Sequence, residues 1–162
     1  MTLHKKTVTL SKSSMRSVSQ RAPSTALILL VDDNRDGVLA RRSVLEELGY
    51  QVVTACCGVD ALHLQKQRNP DLVITDYRMS PMDGLELIAH LRASGFQKPI
   101  ILLSGFAETL GMRSENTGAD VVIQKSSNEV ANLVRYTKRL LLAPKKPNGS
   151  EGLRKETQTR SR

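Results

Sequence analysis

Tryptophan is absent from the 162 residues, and only five side chains are aromatic: Tyr50, Tyr77, Phe96, Phe106 and Tyr136. All five lie in the middle of the chain, so neither end offers a ring on which a nucleic-acid base could stack. Cysteine is almost absent too. The only two, Cys56 and Cys57, are adjacent, which excludes a disulfide framework, fits a reducing compartment and predicts small filler near a strand end. No uncharged apolar run approaches the roughly 20 residues a membrane-spanning helix needs. Acid is missing from residues 1–25, where Lys5, Lys6, Lys12, Arg16 and Arg21 sum to +5.

What is present divides the chain in three. Residues 144–162 set Lys145, Lys146, Arg154, Lys155, Arg160 and Arg162 against Glu151 and Glu156, for +4. The formal total is +8, so the middle carries −1 and the basicity lies at the ends. Both ends are poor in large apolar residues and rich in small polar ones. They read as disordered basic tails, 1–25 and 143–162, flanking one folded domain at 26–142. Counterion release could let such tails bind nucleic acid, but solvation is the simpler role without aromatics. The start of the chain shows no secretory pattern, since its apolar stretch runs straight into Asp32. A cytoplasmic protein without membrane or nucleic-acid partners is therefore expected.

Short apolar runs at 26–31, 51–55, 71–75, 99–103 and 120–123 predict five buried strands. Helices are expected between and after them, at 35–48, 58–68, 84–94, 107–117 and 126–142. The first helix shows Val38, Leu45 and Leu48 on one face and stops at Gly49. The last shows Val130, Leu133, Val134, Thr137, Leu140 and Leu141, with Arg135, Lys138 and Arg139 opposite. Gly111 and Gly118 weaken the fourth. Strict alternation implies an α/β doubly wound parallel sheet, flavodoxin-like (βα)5, with strand order 2-1-3-4-5. Such sheets bind ligands beyond the carboxyl ends of their strands. At that rim this sequence places Asp32 and Asp33, then Asp76, Ser104 and Lys125. Three carboxylates, a hydroxyl and an ammonium suit a divalent cation holding a phosphoryl group.

These stretches resemble the receiver domain of two-component response regulators. The resemblance rests on Leu29-Leu30-Val31-Asp32-Asp33-Asn34, on Asp76-Tyr77-Arg78-Met79-Ser80-Pro81-Met82-Asp83-Gly84, on Ser104-Gly105, on Gly118-Ala119-Asp120 and on Lys125. It spans residues 26–142 in order. It implies a stand-alone signalling module rather than an enzyme, with Asp76 as phosphoacceptor and Mg²⁺ as cofactor. Asp33 would then bind the metal directly and Asp32 through water, with Asp76 and the backbone carbonyl of Arg78 as further ligands. Ser104 and Lys125 would contact the phosphoryl group. The donor would be a sensor histidine kinase or phosphotransfer protein. An unidentified protein target would meet the face carrying Arg135, Lys138 and Arg139.

Three positions depart from the family pattern. Ser126 stands where proline usually follows the lysine, often after a cis bond. Val122 replaces the aromatic switch residue, and proline is displaced by one to Pro81. None removes a phosphorylation residue; they bear on how a signal leaves the site. The rival readings are a receiver-fold binding module that does not switch, and a nucleic-acid-binding regulator using its tails. An aspartyl-phosphate hydrolase would need a second acid two residues after Asp76, where Arg78 stands. His4, His63 and His90 share no metal-ligand spacing. Asp32 and Asp83 could each serve only as a local cap or turn residue.

Overall fold

The computed structural model describes residues 25–142; the expected tails lie outside them except for Thr25. Its elements follow in the order β1 (Leu27–Val31), α1 (Arg35–Glu47), β2 (Gln51–Ala55), α2 (Gly58–Arg68), β3 (Leu72–Asp76), α3 (Gly84–Ala93), β4 (Ile100–Ser104), α4 (Ser114–Thr117), β5 (Val121–Gln124) and α5 (Glu129–Leu142). All neighbouring strands are parallel, in the order β2-β1-β3-β4-β5. That is the expected architecture, with strand ends within a residue of those read from the apolar runs.

β3 and β4 are buried throughout, as strands covered by helices on both faces must be. Alternate residues feed two cores. Leu29, Val31, Val73 and Leu102 meet Ala61, Leu87, Ile88 and Leu91 of α2 and α3. Ile28, Leu30, Ile74 and Leu103 meet Leu45 and Leu133 of α1 and α5 on the other side. Asn34 caps α1, its Oδ1 accepting the Gly37 N–H at 3.1 Å. Asp83 caps α3 in a reciprocal pair with Glu86, with bonds of 2.9 and 3.0 Å.

The fourth helix is much shorter than 107–117. Gly111 adopts φ +59 and donates to Glu108, while Met112 donates to Ala107. This paired closure is the left-handed helix stop that Gly49 and Gly95 also supply to α1 and α3. It ends the turn begun near Ala107, so only Ser114–Thr117 remains as α4.

α5 also starts later than expected, at Glu129, after a turn in which Glu129 donates to the Ser126 carbonyl. Val130, expected on the apolar face, is 47% exposed, because the inward place in that first turn belongs to Glu129. α1 has its own surprise. Leu45 is buried and Val38 and Leu48 are half-buried as expected, but Arg41 is buried among them.

Candidate functional site

The parallel register brings five strand-end residues to one rim. Asp32 and Asp33 follow β1, Asp76 ends β3, Ser104 ends β4 and Lys125 follows β5. Asp76 lies opposite Leu103, and Ser104 opposite Gln124, so Ser104 on the neighbouring β4 and Lys125 just beyond β5 stand on the same side of Asp76, with Asp32 and Asp33 after β1 on the other. The carboxylates of Asp32, Asp33 and Asp76 each offer an oxygen within 4.8 Å of the others. Asp32 and Asp76 are buried, whereas Asp33 is exposed. An all-oxygen, partly open set of this kind suits Mg²⁺, which takes oxygen ligands and keeps several waters.

Lys125 Nζ stands 2.6 Å from Oδ1 of Asp76 and 3.8 Å from Oδ2 of Asp32. Its backbone N–H donates to the Ser104 carbonyl at 2.9 Å, which ties the end of β5 to the end of β4. Ser126 therefore does not prevent Lys125 from reaching the acidic site. Among the described residues the cis peptide bond is Ser80–Pro81.

The pKa of Asp76 is raised from the ordinary carboxylate value. Burial is the main cause and the charge of Asp32 adds to it, while Lys125 and the Tyr77 N–H pull the other way. Gly84 closes the floor: its N–H donates to the Tyr77 carbonyl at 2.8 Å, and a side chain there would strike the backbone carbonyl of Asp76. Ser104 Oγ accepts the Phe106 N–H at 3.0 Å, linking the strand end to the loop that follows. A side chain at Gly105 would meet nothing within 4 Å, so the loop leaves open space there. Arg78 turns its exposed side chain over the Phe106 ring, 5.2 Å from its centre.

Several residues near the site were not singled out by sequence reasoning. Arg41 Nη1 donates to Oδ2 of Asp32 at 2.7 Å, and its Nε donates to Glu129 at 2.6 Å. Burial would lower its pKa, but Glu129 and then Asp32 outweigh burial and hold it above its usual value. Gln124 grips the loop after β4 twice, donating to the Gly105 carbonyl at 2.7 Å and accepting the Glu108 N–H at 3.1 Å. Both hold strand-end loops in place.

Other expectations resolve plainly. Arg135, Lys138 and Arg139 are exposed on α5, with the guanidiniums of Arg135 and Arg139 against the Tyr136 ring at 4.6 and 4.8 Å from its centre. Asp120 is structural: Oδ2 accepts the first N–H of β4 and a guanidinium N–H of Arg92, both at 2.8 Å. Asp83, too, is a helix cap, whereas Asp32 is not; that role falls to Asn34. His63 and His90 are exposed on their helices, and His4 lies outside the described residues. Met79 is buried and Met82 packs against the same core, as loop packing requires. Both cysteines are free, but Cys56 is exposed rather than core filler, because its side chain leaves the strand end toward Asp60. That bond, at 3.3 Å, and the charge of Asp60 push the Cys56 thiol up, away from reactive thiolate.

With this geometry in place, similarity to known proteins becomes specific. The family described as the response regulator receiver domain matches residues 28–136. The alkaline phosphatase synthesis transcriptional regulatory protein PhoP of Bacillus subtilis is 34% identical over 102 residues, covering 60% of this chain and 41% of that protein. The virulence factors putative positive transcription regulator BvgA of Bordetella pertussis is 31% identical over 112 residues, covering 67% and 54%. The chain thus spans about half the length, or less, of these relatives.

Among solved structures, the response regulator TrrA of Thermotoga maritima in complex with Mg(2+)-BeF matches with a TM-score of 0.65 and 34% identity, over 72% of this chain and 99% of that one. The chemotaxis response regulator CheY4 of Vibrio cholerae matches with a TM-score of 0.65 and 26% identity, over 73% and 100%. Fold and rim together define a receiver module of two-component signalling. The chain belongs to the response regulator receiver family. Receivers of this family are signalling modules that work with histidine kinases or phosphotransfer proteins. No helix among the described residues is long and apolar enough to cross a membrane.

Proposed function

We propose that this chain takes a phosphoryl group onto Asp76 from a sensor histidine kinase or phosphotransfer protein, and passes the signal on by protein contacts. The observation that carries the reading is the 2.6 Å pair of Lys125 Nζ and Asp76 Oδ1, set beside the carboxylates of Asp32 and Asp33. An Asp76 oxygen attacks phosphorus while the bond to the donor's histidine nitrogen breaks, giving an acyl phosphate. Lys125 leaves the carboxylate it neutralises and follows the charge onto a phosphoryl oxygen. Asp33, Asp76, the Arg78 carbonyl and, through water, Asp32 would hold Mg²⁺. When bound, that ion neutralises charge on the transferred oxygens.

Ser104 turns chemistry into a change of shape. Its Oγ now accepts the Phe106 N–H. Donating its proton to a phosphoryl group would draw it inward, strain that bond and bias the loop carrying Phe106 toward a second arrangement. Val122 offers no ring to follow the movement, so Gln124, which grips Gly105 and Glu108, is the side chain on β5 that would sense it. The exposed Arg135, Lys138 and Arg139 on α5 are suited to an acidic protein target. A cytoplasmic setting, a folded unit at 26–142 and solvating tails complete the proposal.

A non-switching binding module is the second reading, favoured by Val122 and Ser126. Lys125 reaching Asp76 despite Ser126 supports the first. Phosphotransfer separates them. Mixed with a ³²P-labelled phosphohistidine donor and Mg²⁺, the chain should drain label from the donor, and Asp76→Asn should leave it there. Equal retention by both proteins would support the module.

A further inference from the structure

Arg41 occupies a position that helical spacing gives to the core. It lies three residues after Val38 and four before Leu45, and it is 8% exposed. A guanidinium stays charged when buried, and its burial is costly unless partners surround it. Here they do, with Asp32 at 2.7 Å and Glu129 at 2.6 Å. Gly37, one turn earlier, clears the space: a side-chain carbon there would come within 2.8 Å of Nη1. Glu129 in turn takes the inward place in the first turn of α5 and leaves Val130 exposed. Residues from the β1–α1 turn, α1 and α5 thus converge on one buried cation against the acidic rim.

We infer that Arg41 is a built-in countercharge that sets how tightly the acidic site holds its divalent cation, and that Glu129 tunes it. The inference rests on the cation-dependent reading of the site given above. Asp32 already has a donor on each oxygen, the Asn34 N–H at 2.8 Å on Oδ1 and Arg41 on Oδ2. With Lys125 alone, the three carboxylates would leave a formal charge of −2; Arg41 brings this to −1. Glu129 then draws part of Arg41's charge away. Removing the Arg41 charge should therefore tighten cation binding. Removing the Glu129 charge should weaken it, because Arg41 then acts on Asp32 undivided. By reciprocity, cation binding strengthens the hold of Arg41 on Glu129, which makes the start of α5 sensitive to the site. Arg41 is a positioning residue: it acts through Asp32.

Opposite signs distinguish this from a structural role, in which both variants lose stability and neither shifts affinity. The test is calorimetric titration of the full chain with MgCl₂ at fixed ionic strength. Arg41→Met should lower the dissociation constant by about tenfold, and Glu129→Gln should raise it several-fold. Gly37→Ala, a helix-favouring change that crowds the guanidinium off Asp32, should move it in the direction of Arg41→Met and covers the case in which Arg41→Met fails to fold. Wild-type binding with unshifted variants, or with Glu129→Gln and Gly37→Ala shifting the same way, overturns the countercharge and leaves the cation reading standing. A wild-type chain that takes up no Mg²⁺ overturns both.

Discussion

Lys125 reaches Asp76 across the β3–β4–β5 rim at 2.6 Å and makes a longer approach of 3.8 Å to Asp32. One ammonium therefore offsets two buried carboxylates, and it is placed to follow negative charge from a carboxylate onto a transferred phosphoryl group. Replacing it with an uncharged chain of similar length removes that charge where it develops. Lys125→Met is expected to slow phosphorylation by a small donor about 10- to 100-fold without abolishing it, since Asp76 and the cation ligands remain. Rates from intact-mass time courses would show this, and an unchanged rate would remove Lys125 from the transfer step.

The raised pKa of Asp76 makes a prediction about stability. Its folded value exceeds its unfolded one, so the folded chain holds the extra proton between the two, and stability falls as pH rises through that window. At neutral pH the ionised, buried carboxylate is a net cost. In Mg²⁺-free buffer, Asp76→Asn should therefore melt a few degrees above wild type at pH 7. The gap should close as pH falls toward about 4, the ordinary carboxylate range. Melting curves across that range test it, and a variant that melts lower at pH 7 would contradict it.

Gly84 supports the same aspartate from beneath. Any side chain there meets the Asp76 carbonyl, with Leu102 Cδ1 at 3.0 Å beyond it. Backbone cannot yield as a flexible side-chain tip would, so Gly84→Ala should cost about 2–3 kcal/mol in urea unfolding. It should also lower phosphorylation by shifting Asp76. A neutral substitution would mean that the α3 entry is looser than its contacts imply.

Thr137 on α5 is fully buried, and its hydroxyl has no hydrogen-bond partner among the described residues. Thr137→Val exchanges that hydroxyl for a methyl of similar size. It should stabilise the chain by about 1 kcal/mol, read as a higher midpoint at unchanged slope. Destabilisation would show that the hydroxyl is satisfied in solution.

The sheet was legible because its strands are nearly uninterrupted apolar runs, such as Leu72–Thr75 and Ile100–Leu103, each ending in one polar residue of the rim. Asp32, Asp33, Asp76, Ser104 and Lys125 could be read for the same reason: a polar group at the end of a buried strand is costly to place unless partners meet it there. α4 was legible only as the weakest helix: Gly111 and Gly118 marked 107–117 as interrupted, but that the chain stops at Gly111 depends on φ rather than on hydrophobicity. Arg41 was hidden by its own charge, which suggests an exposed face. The available signal was its register with Val38 and Leu45. Glu129 falls inside the range expected for the last helix with nothing around it in sequence to mark a partner, and only the packing of α1 against α5 gives it a cation to meet.

Phosphorylation of Asp76 is the step on which the rest of the proposed signalling depends. Its most direct test is the intact mass of the chain after incubation with acetyl phosphate, with and without Mg²⁺, beside Asp76→Asn. A single phosphoryl adduct that requires Mg²⁺ and is missing from the variant is the expected result. An adduct that persists in Asp76→Asn, or no adduct in a folded wild-type chain given both Mg²⁺ and donor, would contradict it.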